Sequence, residues 1–334
     1  MSEDALPSGV ATGVGSLPGT DIAEAVRVVF GETPEWPYLP ELPERGLGAD
    51  MIGRGARFLE GIPVQRWVSA WQIADRPGRD DRRAADFLER DLDALYEVAD
   101  TTSGPVRLTA VGPLTLAANL WRRTGGAMIA DHGAVADLTA SLTEGLRGFA
   151  AAAQARLPRA RLSLQLDEPS LPAALAARIK TESGLHYYRR VRGEDARDRL
   201  REVVDGVGVP VVVHCCAPGV PLRLLAEAGA GAVGLDLTLI DLDDAAALDE
   251  IGEYLDGGGR LIAGAVPSVG EPRPDLAEEA AERITGLWSR LGFDPQALPR
   301  QVSVTTACGM AGASPDYARA AMEACREAAR RLHG

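Results

Sequence analysis

The chain has 334 residues, 46% of them hydrophobic and 25% charged, and its formal net charge is −13. This composition is typical of a globular protein with a substantial core, and the acidic balance makes nucleic acid and anionic membranes poor partners. No run of about 18 apolar residues predicts a transmembrane helix, and residues 1–9 lack the basic and apolar regions of a signal peptide. We therefore expect a cytoplasmic protein.

Short apolar runs alternate along the chain with longer segments of helical periodicity. Each run is rich in Val, Leu or Ile, as expected of a strand that is buried on both faces. The predicted strands, in chain order, are Val10–Pro18, Trp67–Ile73, Val106–Pro113, Leu162–Pro169, Val209–Cys216, Ala232–Leu239, Arg260–Val266 and Val302–Cys308.

The segments between these runs place apolar residues at the spacing of an amphipathic helix. The clearest helical patterns cover Arg83–Ala99, Val135–Leu157, Glu194–Val207, Asp275–Leu291 and Pro315–Leu332. Repeated β-then-α units with eight strands predict an α/β fold, a (β/α)8 TIM barrel, and no linker divides it, so we predict a single domain over residues 1–334. In such a barrel the functional residues come from the carboxyl ends of the strands.

Side chains that can bind a metal end three of the predicted strands. His214 and Cys216 are two residues apart on one strand, so they face the same way, whereas Cys215 faces the helices. Asp236 ends the next strand and Cys308 ends the last one. One imidazole, two thiolates and one carboxylate suit zinc, which binds nitrogen, sulfur and oxygen tetrahedrally. The alternative is that the cysteines are core residues and that Asp236 is a cap or ion-pair residue.

Two further strand ends carry polar or flexible residues. Asp167 and Glu168 are adjacent, so at most one faces the barrel mouth while the strand stays extended, and Pro169 ends the strand. We predict that Asp167 binds a cationic group such as a substrate ammonium; the alternative is a helix cap or an internal salt bridge. The glycines before Ser16 let the backbone approach a ligand closely, but no Gly-Lys-Ser/Thr follows, so the segment is not a phosphate loop.

In their order along the chain, these motifs resemble those of the cobalamin-independent methionine synthase family, specifically its C-terminal catalytic barrel. The resemblance runs from Val10 to Leu332 and implies a TIM barrel of the uroporphyrinogen decarboxylase/methionine synthase type. The uroporphyrinogen decarboxylases are similar in fold but lack the zinc ligands. The segments that carry the resemblance are Gly15-Ser16-Leu17-Pro18, Asp167-Glu168-Pro169, His214-Cys215-Cys216, Asp236 and Cys308-Gly309-Met310.

The resemblance also implies roles for individual residues. The implied zinc ligands are His214, Cys216, Cys308 and Asp236, the last of them where the family has a glutamate. The residues implied to bind the amino-acid end of homocysteine are Ser16, Asp167 and Glu41, with Glu44 as the alternative to Glu41.

Three features depart from the family pattern. The chain has about half the family's full length, so we expect no counterpart of the N-terminal barrel that helps to bind the folate donor. Asp236 is one methylene shorter than the family's glutamate. The family's proton-donating histidine after the seventh strand has no counterpart in Gly264–Gly270. Protonation of the leaving folate nitrogen is what such an acid would supply, so the donor need not be methyltetrahydrofolate.

We therefore predict a zinc-dependent methyltransferase that acts on a small thiol, with homocysteine as the acceptor that the resemblance implies. A methylcorrinoid carried by a partner protein is one candidate donor, and a small activated methyl compound is another. His186, in the long loop after the fourth strand, is a candidate for the donor side. Two alternatives stay open: a barrel that binds zinc and a thiol for regulation, and a metal-free lyase of the uroporphyrinogen decarboxylase type. The lyase predicts an arginine-rich mouth, to which Arg54 and Arg57 could contribute.

Overall fold

The centre of the fold is a curled parallel sheet of six strands, in the order β3 (Pro105–Val111), β5 (Arg161–Asp167), β6 (Val211–Cys215), β7 (Ala232–Asp236), β8 (Leu261–Val266) and β9 (Val302–Thr306). The computed structural model describes residues 5–68 and 70–333. Each strand of this sheet pairs in parallel with the next, and helices connect successive strands along the chain, as in repeated β-then-α units. The strands are β1 Val64–Trp67, β2 Ala70–Ile73, β3 Pro105–Val111, β4 Leu120–Trp121, β5 Arg161–Asp167, β6 Val211–Cys215, β7 Ala232–Asp236, β8 Leu261–Val266 and β9 Val302–Thr306.

The helices cover the outer face of this sheet. All five helical patterns found in the sequence are confirmed, with ends that shift by a few residues because caps decide them. The Asp131 side chain accepts from the Ala134 amide at the start of α5, and Ser314 caps α12 in the same way. Across residues 5–68 and 70–333, no helix combines the length and apolarity needed to cross a membrane. The helices are α1 Ile22–Glu32, α2 Met51–Ala56, α3 Arg79–Ala99, α4 Pro113–Asn119, α5 His132–Arg156, α6 Leu171–Leu175, α7 Gly193–Gly206, α8 Leu222–Glu227, α9 Ala245–Asp256, α10 Leu276–Leu291, α11 Leu298–Gln301 and α12 Pro315–Arg331.

Two extended segments border the edges of the six-stranded sheet. Residues 9–12 run beside β9, where the Thr12 amide donates to the Val304 carbonyl over 2.9 Å. Residues 37–39 run beside β3, where the Leu39 amide donates to the Arg107 carbonyl over 2.8 Å. Each edge strand therefore has a neighbour, and just beyond these ranges the two segments of chain contact each other at Ser16 and Glu41. The parallel bridges that mark these contacts are Ala11–Val304, Tyr38–Arg107 and Ser16–Glu41.

Two strand predictions need correction. The prediction that Trp67–Ile73 is the second barrel strand is wrong. The range falls on the antiparallel pair β1–β2, which forms a separate three-stranded sheet with β4, and its Ser69 lies outside the described residues. Residues 37–39 take the place beside β3 instead. Val10–Pro18 forms no regular strand and contributes only bridges and isolated backbone hydrogen bonds.

The alternation of side chains along the strands separates two apolar cores. Val211 and Val213 of β6 belong to the main core, which the helices share. Val212 belongs instead to a small cluster with Trp36 and Ile262, contributed by the strands and the extended segments. Side chains two residues apart share a face, so His214 continues the inner face that Val212 begins. The same alternation turns the fully buried Cys215 toward the helices.

Candidate metal centre

Two cysteines meet at the carboxyl end of the sheet. Cys216 directly follows β6, Cys308 follows β9 by two residues, and their sulfur atoms lie 3.0 Å apart. The hydrogen-bonding contact with Cys216, together with the charge of the nearby His214, lowers the pKa of the Cys308 thiol to about 6. The same contact raises the pKa of Cys216, and burial adds to that rise. The contact therefore favours the thiolate form of Cys308 over that of Cys216.

His214 supplies a nitrogen donor on the same inner face. It is buried, and its Nδ1 lies 3.0 Å from Asp167 Oδ1. A carboxylate accepts from an N–H, so this contact places the proton on Nδ1 and leaves a lone pair on Nε2. Nε2 is itself buried and has no hydrogen-bond partner among the described residues. A buried ring nitrogen without a partner is a costly feature that a bound metal would satisfy.

The donor chemistry of these three side chains fits zinc. One imidazole nitrogen and two sulfurs match a zinc site with three protein ligands, whose fourth position stays open to a substrate. The described part of the chain nevertheless has no group of three or more His, Cys, Asp or Glu side chains arranged to hold a metal ion. Two thiolates on one tetrahedral zinc lie roughly 3.8 Å apart, so the 3.0 Å sulfur pair would have to open slightly.

Asp236, the fourth predicted ligand, has a different set of contacts. Its Oδ1 accepts from the Thr238 amide over 2.8 Å and from the Thr238 hydroxyl over 2.6 Å, which caps a short 3₁₀ turn after β7. These contacts match the alternative that the sequence left open for this residue, a cap. Its role as a ligand stays a prediction.

Glu41, predicted on the substrate side, lies in a buried ion pair. Its Oε1 is 3.0 Å from the Thr109 hydroxyl and 3.2 Å from Arg54 Nε, and both charged side chains are more than nine-tenths buried. Burial raises the pKa of Glu41, Arg54 opposes that rise, and the nearby Asp167 carboxylate adds to it. Glu41 therefore sits between a buried cation and the carboxylate that holds His214.

Ser16 joins the strand-one loop to the loop of Cys308. Its carbonyl accepts from the Met310 amide over 2.8 Å, and its backbone bridges Glu41. A Cβ on residue 309 would collide with the Ser16 hydroxyl, so Gly309 permits this close approach. The structure thus pairs Asp167 with His214, Cys216 with Cys308, and Ser16 with both Glu41 and the loop of Cys308.

Glu168 faces away from this set. Its carboxylate accepts from the Leu114 amide, the Thr115 amide and the Thr115 hydroxyl over 2.7–2.8 Å, at the N-terminus of α4. Burial raises its pKa to about 7, against the effect of these donors. The two adjacent carboxylates therefore point in opposite directions, Asp167 toward the inner face of the sheet and Glu168 toward the helices.

The sequence analysis missed three polar partners in this region. Arg54 was considered only for a lyase, and Thr109 and Gln165 were not considered at all. The available signal was alternation, because Thr109 follows Arg107 by two residues in β3, and Gln165 precedes Asp167 by two in β5. His186 lies in an exposed turn between Lys180 and Tyr187, and its donor-side role stays a prediction.

Comparison with solved structures supports the fold. A B12-independent methionine synthase from Shewanella sp. W3-18-1, in complex with selenomethionine, matches 97% of this chain and 98% of its own, with a TM-score of 0.62 and 14% identity. A GH5_18 protein from Streptomyces cattleya, in complex with GlcNAc, matches 98% of this chain and 81% of its own, with a TM-score of 0.47 and 17% identity. No family model and no curated protein matches the sequence. The chain therefore has a mixed α/β fold similar to a methionine synthase barrel.

Proposed function

We propose that this chain is a single-domain (β/α)8 barrel that transfers a methyl group to a small thiol in a zinc-dependent reaction. One observation carries the proposal: the unpartnered Nε2 of His214 lies at the same end of the sheet as the paired sulfurs of Cys216 and Cys308. Because the fold is similar to that of the Shewanella methionine synthase, we propose homocysteine as the thiol that accepts the methyl group. Residues 9–12 and 37–39 would be the first and second strands of the closed barrel.

Zinc held by His214, Cys216 and Cys308 would lower the pKa of a bound thiol, so that the thiolate persists at neutral pH. The thiolates of Cys216 and Cys308 would balance the charge of the ion, which would leave the substrate sulfur electron-rich. Ser16 and the free Oδ2 of Asp167 would hold the carboxylate and ammonium ends of the acceptor, which contributes proximity. Glu41 is paired with Arg54 and would therefore add little net negative charge for the ammonium.

The donor side of the reaction has no evident acid. Gly264–Gly270, which covers the end of β8 and the residues that follow it, contains no side chain that could protonate a leaving folate nitrogen. Donors whose leaving group needs no proton fit best, such as a methylcorrinoid on a partner protein or a methylsulfonium compound. We propose this donor class, with His186 as a candidate residue near its entry.

Metal analysis of cysteine variants tests the proposal. We expect the wild type to purify with about one zinc per chain, and Cys216→Ser and Cys308→Ser to weaken zinc binding on the order of 100-fold or more, because each removes a thiolate ligand. Cys215→Ser is the matched control, because Cys215 is the neighbouring residue and faces the helices; it should keep its zinc. Homocysteine should then release a proton on binding to the zinc-loaded wild type.

Any of three results would contradict the proposal. A wild type without zinc, or equal zinc loss in the Cys215→Ser and Cys308→Ser variants, would remove the metal centre. Zinc and homocysteine binding without methyl transfer from methylcobalamin or S-methylmethionine would contradict the enzymatic part and favour a regulatory thiol-binding protein.

The role of Asp236 has its own test. Asparagine can cap the turn at Thr238 through its side-chain oxygen, but it is a poor zinc ligand. If Asp236 acts only as a cap, Asp236→Asn should change the zinc dissociation constant less than about threefold. A loss of tenfold or more, measured by competition with a chromogenic chelator, would restore Asp236 to the ligand set.

A further inference from the structure

Gln165 lies next to Asp167, one contact outside the candidate metal centre. It lies on the inner face of β5 and is 2% exposed. Its amide nitrogen donates to the Val14 carbonyl and to Asp167 Oδ1, both over 2.7 Å. A side-chain amide has two N–H donors, and here each has an acceptor at a short distance.

This amide fixes the orientation of the Asp167 carboxylate. Oδ1 of Asp167 accepts from Gln165 and from Nδ1 of His214, whereas Oδ2 has no hydrogen-bond partner among the described residues. If Gln165 could not donate, the carboxylate could rotate, and the His214 ring would lose its fixed acceptor. The proton on Nδ1, and with it the lone pair on Nε2, therefore depends on a side chain that does not touch the metal centre itself.

Gln165 also connects the metal centre to the loop predicted to bind the substrate. Val14 stands two residues before Ser16, whose carbonyl accepts from the Met310 amide in the Cys308 loop. One buried amide thus ties β5 to the segment that carries Ser16, while Asp167 ties β5 to β6. A substitution at Gln165 should therefore affect both His214 and the segment that carries Ser16.

We propose that Gln165 is a positioning residue that, through Asp167, holds the His214 ring with Nε2 directed to the metal. This inference rests on the proposed zinc function. Outer partners of metal-binding histidines commonly change metal affinity by 10- to 100-fold, because they fix the ring and its tautomer. Gln165 would do so one contact further out, and it would leave Asp167 Oδ2 free for a substrate ammonium.

Metal binding by two variants tests this proposal. Gln165→Met keeps the length of the side chain and removes both hydrogen bonds, and Asp167→Asn weakens the acceptor for His214. We expect each substitution to raise the zinc dissociation constant at least tenfold. The double variant should bind zinc about as tightly as the single variant with the lower affinity, because both substitutions act through the His214 ring. Bound Co²⁺ should show altered visible absorption bands in both variants, which reports the coordination geometry directly.

Ser163→Ala is the matched control. Ser163 lies two residues before Gln165 on the same face of β5, is fully buried, and its hydroxyl has no hydrogen-bond partner among the described residues. It should leave zinc affinity and the Co²⁺ spectrum unchanged. Thermal unfolding of each variant without metal separates a folding defect from a positioning defect, and Asp167→Asn provides the second measurement if Gln165→Met does not fold.

The outcomes separate this inference from the proposed function. If the wild type binds no zinc, the proposed function fails. If the wild type binds zinc and Gln165→Met binds it equally well with the same Co²⁺ spectrum, the positioning role is overturned and the metal centre stands. Strictly additive losses in the double variant would also overturn it, because they would show that Gln165 and Asp167 act independently.

Discussion

Replacing Arg54 with methionine is expected to lower the free energy of unfolding by about 3–5 kcal/mol, because it leaves Glu41 buried without its cation. The side chains of Arg54 and Glu41 are 5% and 8% exposed, so water cannot replace the lost partner. Thr109 would still donate to Glu41, but a single hydroxyl does not balance a buried charge. Chemical denaturation at neutral pH measures the effect.

A double-mutant cycle isolates the pair. Glu41→Gln introduced into the Arg54→Met protein should recover part of the loss, so that the double variant is more stable than the sum of the two single changes predicts. Arg223→Met is the control, because Arg223 forms an exposed pair with Glu227 and should cost less than about 1 kcal/mol. Additive effects of the two buried substitutions would show that the ion pair contributes no coupling.

The second large effect is a dependence of the free energy of unfolding on pH, caused by Glu168. Burial raises the pKa of Glu168 from the ordinary 4.5 to about 7, so the folded chain binds this proton more tightly than the unfolded chain does. The resulting stabilisation is complete below about pH 4.5 and is lost as the pH rises through 7. A shift of this size corresponds to about 3 kcal/mol.

Comparison with Glu168→Gln makes this effect measurable. Glutamine does not titrate, and contributions common to both proteins cancel in the difference between their free energies of unfolding. We expect the wild type to lose about 3 kcal/mol relative to the variant between pH 4.5 and pH 8. A difference that grows in favour of the wild type with rising pH would mean that the donors from Leu114 and Thr115 hold Glu168 ionised and outweigh its burial.

The strands that the sequence revealed are those buried on both faces. Val106–Pro113 is mostly apolar, and Leu162–Pro169 places a leucine at every second position, so both segments supply the apolar face that a buried strand needs. Residues 37–39 escaped because prolines stand at positions 37, 40 and 43, and proline rarely occurs inside a sheet. The structure accommodates them because Pro37 contributes only its carbonyl, which accepts from Arg107, while Leu39 contributes the amide.

The candidate site, like the strands, could be predicted only in part from the sequence. The spacing of His214 and Cys216 predicts a shared face, and this prediction depends only on the period of a strand. The meeting of Cys216 with Cys308 depends on how far the sheet curls, because β7 and β8 lie between β6 and β9, and only the family resemblance supplied that information. The pairing of Glu41 with Arg54 depends on where a six-residue helix lies, and no local pattern encodes it.

The contact between the two N-terminal segments has a dynamic consequence. Residues 15–17 and Glu41 are joined by two backbone hydrogen bonds, from Leu17 to Glu41 over 2.9 Å and from Glu41 to Gly15 over 3.1 Å. So short a ladder can open locally at a lower free energy than the six-stranded sheet. Its amide protons should therefore exchange with deuterium ahead of those of β5 and β6. A thiol substrate bound by Ser16 would slow that exchange. Amide protection at Leu17 and Glu41 would therefore report substrate binding even when no methyl group is transferred.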